Sequence, residues 1–328
     1  MGEYLCNDIY LLILPYTTNS IPDLCTVSKF WAGITKRARI PALDGNEYSK
    51  IQDKNISKLT YLKWLTLTYH NVITDKGIKH LTNLCYLNID GSMVTYYGVR
   101  KLTNLVHLNI NDSRISDKGL KNLTKLSILQ LSECYRITDV GFQNLTNLTS
   151  LELYESEITD NAIAKLFNLR YFAFNRCEKI TNNSVKLLSN LRSLELNCNM
   201  IITNDGISNL TSLTCLHLNY NKKITNDGIS NLTNLTTLDL SYNKMITNNG
   251  LKKLSKLARL YLEYNREITD DGISHLINLD ELIISHDNNI TINGISGLTN
   301  LTYLNFKQNN NITINNITTL TNLTDYDY

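Results

Sequence analysis

The sequence predicts an α/β solenoid, a stack of short parallel strands each backed by a short helical return. Three observations predict it. A unit of 21 or 22 residues recurs from Leu59 onward, its apolar positions alternate as in a half-buried strand and then move to helical spacing, and a small polar residue follows each strand.

The unit is clearest from Leu210, LTSLTCLHLNYNKKITNDGISN, and reads L-x-x-L-x-x-L-x-L-x-x-N-x-x-I-T-x-x-G-I-x-x. Copies begin at Leu59, Leu81, Leu102, Leu123, Leu145, Leu166, Leu188, Leu210, Leu232, Leu254, Leu276 and Leu298, with a truncated one after them. In the strand segment, Leu213, Leu216 and Leu218 fall on one side, and Thr214, His217 and Asn219 on the other. The strand therefore has one buried face and one free face.

The bend position is held by His70, Ser92, Ser113, Cys134, Ser156, Cys177, Asn199, Asn221, Asn243, Asn265, Asp287 and Asn309. Most are small polar groups that bond a turning backbone. Next comes I-T-[DN]-x-G-[IL], as in Ile224 to Ile229, where Thr before an apolar pair is a helix N-cap signal. A short helix is expected in most copies. The glycine that recurs inside it, as at Gly77, Gly206, Gly228 and Gly250, weakens helicity, so it is read as a point of close packing between neighbours. One copy buries about seven apolar side chains at roughly 2 kcal/mol each, while ordering each of its residues costs about 1 to 2 kcal/mol. No copy is expected to fold alone, and stacking supplies the missing burial.

This register resembles the leucine-rich repeat, and Cys134 and Cys177 stand where its cysteine-containing subtype places cysteine. The resemblance implies a horseshoe with a parallel sheet on its concave side and short helices on its convex side. Three regions follow. Residues 1–40 form a small helical module, residues 41–58 a linker and lead-in, and residues 59–328 the array of twelve repeats and a truncated last one.

All three prolines precede the array. Before it, Leu5, Asp8, Ile9, Ile13, Leu14, Leu24, Val27 and Trp31 recur at helical spacing in three short segments. These residues resemble the F-box, the adaptor-binding module of cullin-type ubiquitin ligases. The resemblance implies that residues 5–34 engage a Skp-family adaptor and its cullin complex. Equally, the module reads as a cap that shields Leu59, Leu62 and Leu65 from water, and the two roles are compatible.

A formal net charge of +2, from 32 basic and 30 acidic residues, gives no electrostatic case for nucleic acid or an anionic membrane. No apolar run reaches the length of a membrane span. Seven scattered cysteines without a C-x-x-C pair point to a reducing intracellular compartment, cytoplasm or nucleus, and away from a zinc site. No metal, cofactor or catalytic residue is assigned. The six histidines are dispersed over different repeats, and none is expected to pair at fixed register with a nucleophile and an acid.

What remains is the free side of the sheet, read as a surface for a protein target. Aligned copies place Glu152, Glu195, His217, Asp239 and Tyr261 in one row, and Tyr220, Tyr242, Tyr264 and His286 in a row three residues on. The second row predicts an aromatic ladder, because large rings dominate interface energetics at low entropic cost. Asp90, Asp112, Glu133, Glu152, Glu155 and Glu195 make the earlier repeats acidic, which suits a basic segment of a partner. The function expected is that of a non-catalytic substrate-recognition subunit of a cullin-type ubiquitin ligase. The alternative is an interaction scaffold whose N-terminal segment is only a cap.

Overall fold

The computed structural model describes residues 42–45, 51–286, 288–315 and 317–328. They fall into two compact units, one running to Leu126 and the other from Ser127 to Tyr328.

In the first unit, strands Ala42–Asp44, Trp64–Thr66, Tyr86–Asn88 and His107–Asn109 pair in chain order, all parallel, with Leu43, Leu65, Leu87 and Leu108 in register. Four-residue helices Asp53–Ile56, Asp75–Ile78, Tyr96–Val99 and Asp117–Leu120 return the chain. The segment read as linker and lead-in thus supplies a strand and a helix, one coil before Leu59. The signal was present, since Ile51 to Ile56 reads IQDKNI and keeps the apolar and acidic positions of the later helix starts.

The second unit repeats the arrangement. Its strands are Ile128–Ser132, Ser150–Tyr154, Tyr171–Asn175, Ser193–Glu195, Cys215–His217, Thr237–Asp239, Arg259–Tyr261, Glu281–Ile283, Tyr303–Asn305 and Asp325–Asp327. All are parallel, with Leu194, Leu216, Leu238, Leu260, Leu282 and Leu304 stacked in one buried column. The last strand carries Tyr326 in that column, 41% exposed. Among the described residues no helix is long and apolar enough to cross a membrane.

Within the units, three lines of side-chain hydrogen bonds between successive coils bound the apolar column, the first of them in the coils whose bend is asparagine. The first runs through the bend. Asn221 Nδ2 donates to the carbonyls of Leu196 (3.3 Å) and Asn199 (3.0 Å), and its Oδ1 accepts from the amides of Lys223 (2.9 Å) and Ile224 (3.0 Å). Asn243 and Asn265 repeat this set, and all three are fully buried. In the coil from Leu276, Asn288 does this work, donating to the Leu262 carbonyl at 2.9 Å. The aligned residue, Asp287, lies outside the described residues, and an aspartate offers no N–H for the neighbouring carbonyl.

The second line runs along the helix starts. Where the first helical residue is aspartate, as at Asp53, Asp75, Asp139, Asp160 and Asp270, it accepts from both the amide and the hydroxyl of the next coil's Thr. That Thr still accepts from its own helix, capping it. Where the residue is asparagine, as at Asn182, Asn204, Asn226 and Asn248, Nδ2 donates to the Thr hydroxyl and Oδ1 accepts the Thr amide. The Thr then makes no cap bond to its own helix. The recurring glycine follows from the same line, because a Cβ on Gly228 would stand 2.5 Å from Asn204 Oδ1. At the one coil where serine takes this place, Ser184 Oγ donates to Asp160 Oδ1 at 2.6 Å.

The third line lies at the turn into each strand, where Asn83, Asn104, Asn168, Asn190, Asn234, Asn278, Asn300 and Asn322 each donate to a backbone carbonyl one coil earlier. These bonds are solvent-facing.

Burial separates the lines in energy. Asn243→Ala removes all four bonds and takes this partner from the buried Ile246 amide and the Asn221 carbonyl, so it is expected to lower unfolding free energy by about 3 kcal/mol, whereas Asn234→Ala costs about 1 kcal/mol. Urea denaturation of both variants checks this. Equal losses would contradict the assignment of the bend asparagine as the stronger tie.

Candidate functional site

Each strand projects two side chains from its free side, flanking the buried central residue, and both are half-buried in most coils. Parallel in-register pairing lines up equivalent residues from coil to coil.

In the first unit the earlier of the two positions builds an aromatic cluster. Trp64 lies flat on Tyr86 with ring centroids 3.4 Å apart, and Tyr86 meets His107 edge-on at 4.5 Å. Beyond the end of strand Tyr86–Asn88, Asp90 is pushed above the usual carboxylate range, by burial first and by the charge of Asp112 second.

In the second unit the later position carries Gln130, Glu152, Ala173, Glu195, His217, Asp239, Tyr261, Ile283 and Asn305, as the alignment of copies predicts. The earlier position, which the alignment left out, completes a polar network with it. Gln130 Nε2 donates to Glu152 at 3.0 Å, and the Tyr171 hydroxyl donates to Glu195 at 2.8 Å. Burial and that carboxylate drive the Tyr171 phenol upward.

Cys215 Sγ lies 3.2 Å from His217 Nε2, and His217 Nδ1 lies 3.8 Å from Asp239 Oδ2, the span of an ion pair rather than of a hydrogen bond. His217 is raised to about 10, by Asp239 first and Cys215 second, against the opposing effect of burial. Asp239 resists the upward push of its own burial because His217 and Ser241 stabilise its charge, and it ends below the usual range. One histidine therefore does stand between a thiol and a carboxylate, contrary to the expectation from sequence. The neighbours come from strand pairing and from i, i+2 spacing, which a scan of single repeats does not reveal. Further along, Arg259 faces Glu281 at 3.4 Å, and burial lifts Tyr261 to about 12 with Glu281 alongside.

The row three residues on lies beyond the strand. Tyr69, Asp112, Glu133, Glu155, Arg176, Cys198, Tyr220, Tyr242, Tyr264, His286 and Gln308 all have φ between 42° and 58°, and Gly91 has φ of 60°. This left-handed residue turns the chain so that the following bend residue points inward. L-residues resist it, at a cost of about 1 to 3 kcal/mol each. It recurs whatever the residue, so the strain belongs to the fold and not to a site.

The side chains at this position differ. Tyr220 stacks on Tyr242 (4.1 Å), Tyr242 on Tyr264 (4.6 Å) and Tyr264 on His286 (4.4 Å), with interplanar angles of 26° or less. The predicted ladder is thus a continuous stack. His286 ends it, with Nδ1 2.6 Å from Gln308 Oε1 and Nε2 3.6 Å from Glu263. Tyr220 remains 44% exposed. Earlier in the row, Arg176 and the Tyr135 hydroxyl hold Glu155 below the usual carboxylate range, so part of the acidic character is neutralised within the chain. Leu5, Asp8, Ile9, Ile13, Leu14, Leu24, Val27 and Trp31 lie outside the described residues.

Among the described residues no group of three His, Cys, Asp or Glu side chains is placed to hold a metal ion. The architecture is that of a leucine-rich repeat solenoid. A leucine-rich repeat family model matches residues 101–123, 187–210, 209–232 and 231–255. No curated protein sequence matches the chain. Among solved structures it is similar to an internalin of Listeria monocytogenes, at 26% identity and a TM-score of 0.60 over 85% of this chain and 89% of that one. A leucine-rich repeat protein of Leptospira interrogans shares the fold at 23% identity and a TM-score of 0.59, over 84% of this chain and 80% of that one. So does a chain of the Toll–Spätzle complex of Drosophila, at 17% identity and 0.57, over 78% of this chain and 40% of that one.

The His217 contacts carry a sign that can be measured. A histidine raised in the folded state stabilises it fully below about pH 6.5, the unfolded value, and that contribution fades as pH climbs towards 10. His217→Gln is therefore expected to lose stability relative to the parent chain at pH 6, and to lose progressively less between pH 7 and 10. Urea midpoints of both chains across that range test it, and a constant difference would contradict it.

Proposed function

We propose that this chain is a non-catalytic protein-binding protein, and that it holds its target on the free side of the repeat sheet. The observation that carries the reading is the stack of Tyr220, Tyr242, Tyr264 and His286. Four rings ordered against one another lose little further entropy on binding, and such rings are frequent energetic anchors of interfaces. Glu152, Glu195, His217, Asp239 and Tyr261 supply polar and charged groups alongside, already fixed by contacts within the chain and so ready to discriminate between partners.

The finer reading is that of a substrate-recognition subunit of a cullin-type ubiquitin ligase. Its support is the F-box-like series Leu5, Asp8, Ile9, Ile13, Leu14, Leu24, Val27 and Trp31, which would engage a Skp-family adaptor while the repeats hold the substrate. A reducing intracellular compartment fits the free thiols of Cys198 and Cys215.

Affinity purification of the full chain from its native cell, scored for adaptor, cullin and other captured proteins, tests both levels. Trp31→Ala with Ile9→Asp should remove the adaptor and cullin and leave the target in place. Tyr242→Ala with Tyr264→Ala should lower target recovery about tenfold or more and leave the adaptor in place. Adaptor retained after the first pair of changes contradicts the ligase reading and favours a capping role for the N-terminal segment. Target recovery unchanged by the second pair contradicts the sheet face as its binding surface.

A further inference from the structure

We propose that Cys215 is a nucleophilic thiol that exchanges with small-molecule disulfides, with His217 stabilising its sulfur anion and Asp239 fixing the imidazole. The sheet geometry brings the three together. Cys215 and His217 are two residues apart on strand Cys215–His217, so both project from its free side. Sγ and Nε2 are 3.2 Å apart, Nδ1 faces Asp239 Oδ2 at 3.8 Å, and Asp239 is anchored by accepting the Ser241 amide at 2.8 Å. A thiol within hydrogen-bond reach of an imidazole that is itself paired with a carboxylate has a cation held beside its sulfur, which favours the sulfur anion.

The surrounding charges decide what the pair can do. Glu195 on the preceding strand and Asp239 on the following one both face it, and carboxylates disfavour a sulfur anion. Glu195, however, already accepts the Tyr171 hydroxyl, and Asp239 is engaged by His217. The group touching the sulfur is the imidazole, and its protonated form, which Asp239 favours, places an N–H towards the sulfur. Cationic neighbours of this kind are what make a cysteine reactive.

Of the four other described thiols, Cys198 is exposed, on the left-handed turn beyond its strand, and its rate is followed separately, while the remaining three differ from Cys215 in burial or in what their sulfur meets. Cys134 and Cys177 are buried and donate to carbonyls of their own coils, and burial pushes the Cys177 thiol up. Cys85 is half-buried like Cys215 but has its Sγ directed at the Asn83 carbonyl, 3.7 Å away. It provides an internal reference of similar exposure.

In the exchange, the Cys215 proton leaves to water while the His217 N–H stays on the sulfur. The sulfur anion attacks one sulfur of the disulfide, a new S–S bond forms as the old one breaks, and the other half departs as a thiolate. Cys215 is oxidised and the small disulfide reduced, so no further oxidant is required. The mixed disulfide would stand on the free side of the sheet beside Glu195 and Asp239.

The test is the rate at which the full chain reacts with dithiodipyridine, an uncharged aromatic disulfide, at pH 7, resolved by site with mass spectrometry. Cys215 is expected to react about tenfold or more faster than Cys85. His217→Gln should bring Cys215 down to the rate of Cys85 without altering Cys85, and Asp239→Asn should give an intermediate rate. Similar rates for Cys215 and Cys85 in the unaltered chain would overturn the proposal, as would a Cys215 rate indifferent to His217→Gln. The comparison within the unaltered chain decides the matter even if a variant fails to fold.

Discussion

In the coils around Asn221, Asn243 and Asn265, the bend turns backbone carbonyls and amides into the buried stack. The bend asparagine resolves that constraint. With two donors and two acceptor positions it satisfies two carbonyls of the coil before and two amides of its own turn, as Asn221, Asn243 and Asn265 do. The leucine column supplies most of the burial, but leucines alone permit sliding. The asparagine bonds fix one coil against the next at a single register.

That register sets which side chains meet on the free side of the sheet. Because neighbouring coils are pinned at equivalent residues, side chains one repeat apart in sequence become neighbours in space. Tyr220, Tyr242, Tyr264 and His286 stack for this reason, although 22 residues separate each from the next. The left-handed turn that carries them is a requirement of the fold, met in other coils by Glu133, Arg176 or Cys198. Stacking offsets the strain only where rings occur in succession, which gives the second unit one edge unlike the rest. The same pinning sets Cys215 and His217 against Asp239 of the next coil.

Much of this was legible in the sequence, because repetition turns a one-dimensional pattern into a contact map. The positions of Leu213, Leu216 and Leu218, the Thr caps and the row from Gln130 to Asn305 follow from period and alternation alone. The aromatic ladder did too, though as a sheet row, since nothing in the residue types marks Tyr220 as left-handed. Three things were not read. The strand Ala42–Asp44 and the helix Asp53–Ile56 lie within the segment read as linker and lead-in, which lacks the leucine spacing of the later copies. The residue types show that an asparagine can bond a turning backbone, but not that its donor reaches a carbonyl one coil away, as Asn221 and Asn234 do. The earlier strand position, from Trp64, Tyr86 and His107 to Tyr171, Cys215 and Arg259, was passed over because its residue types vary from copy to copy.

The buried asparagine amides are locked to the neighbouring coil, and the protons of the Asn243 side-chain amide report on that bond directly. Hydrogen exchange followed by NMR should find these protons protected, exchanging only when the surrounding strands Cys215–His217 and Thr237–Asp239 open together. Exchange at the rate of an unprotected amide, while those strands remain protected, would contradict it.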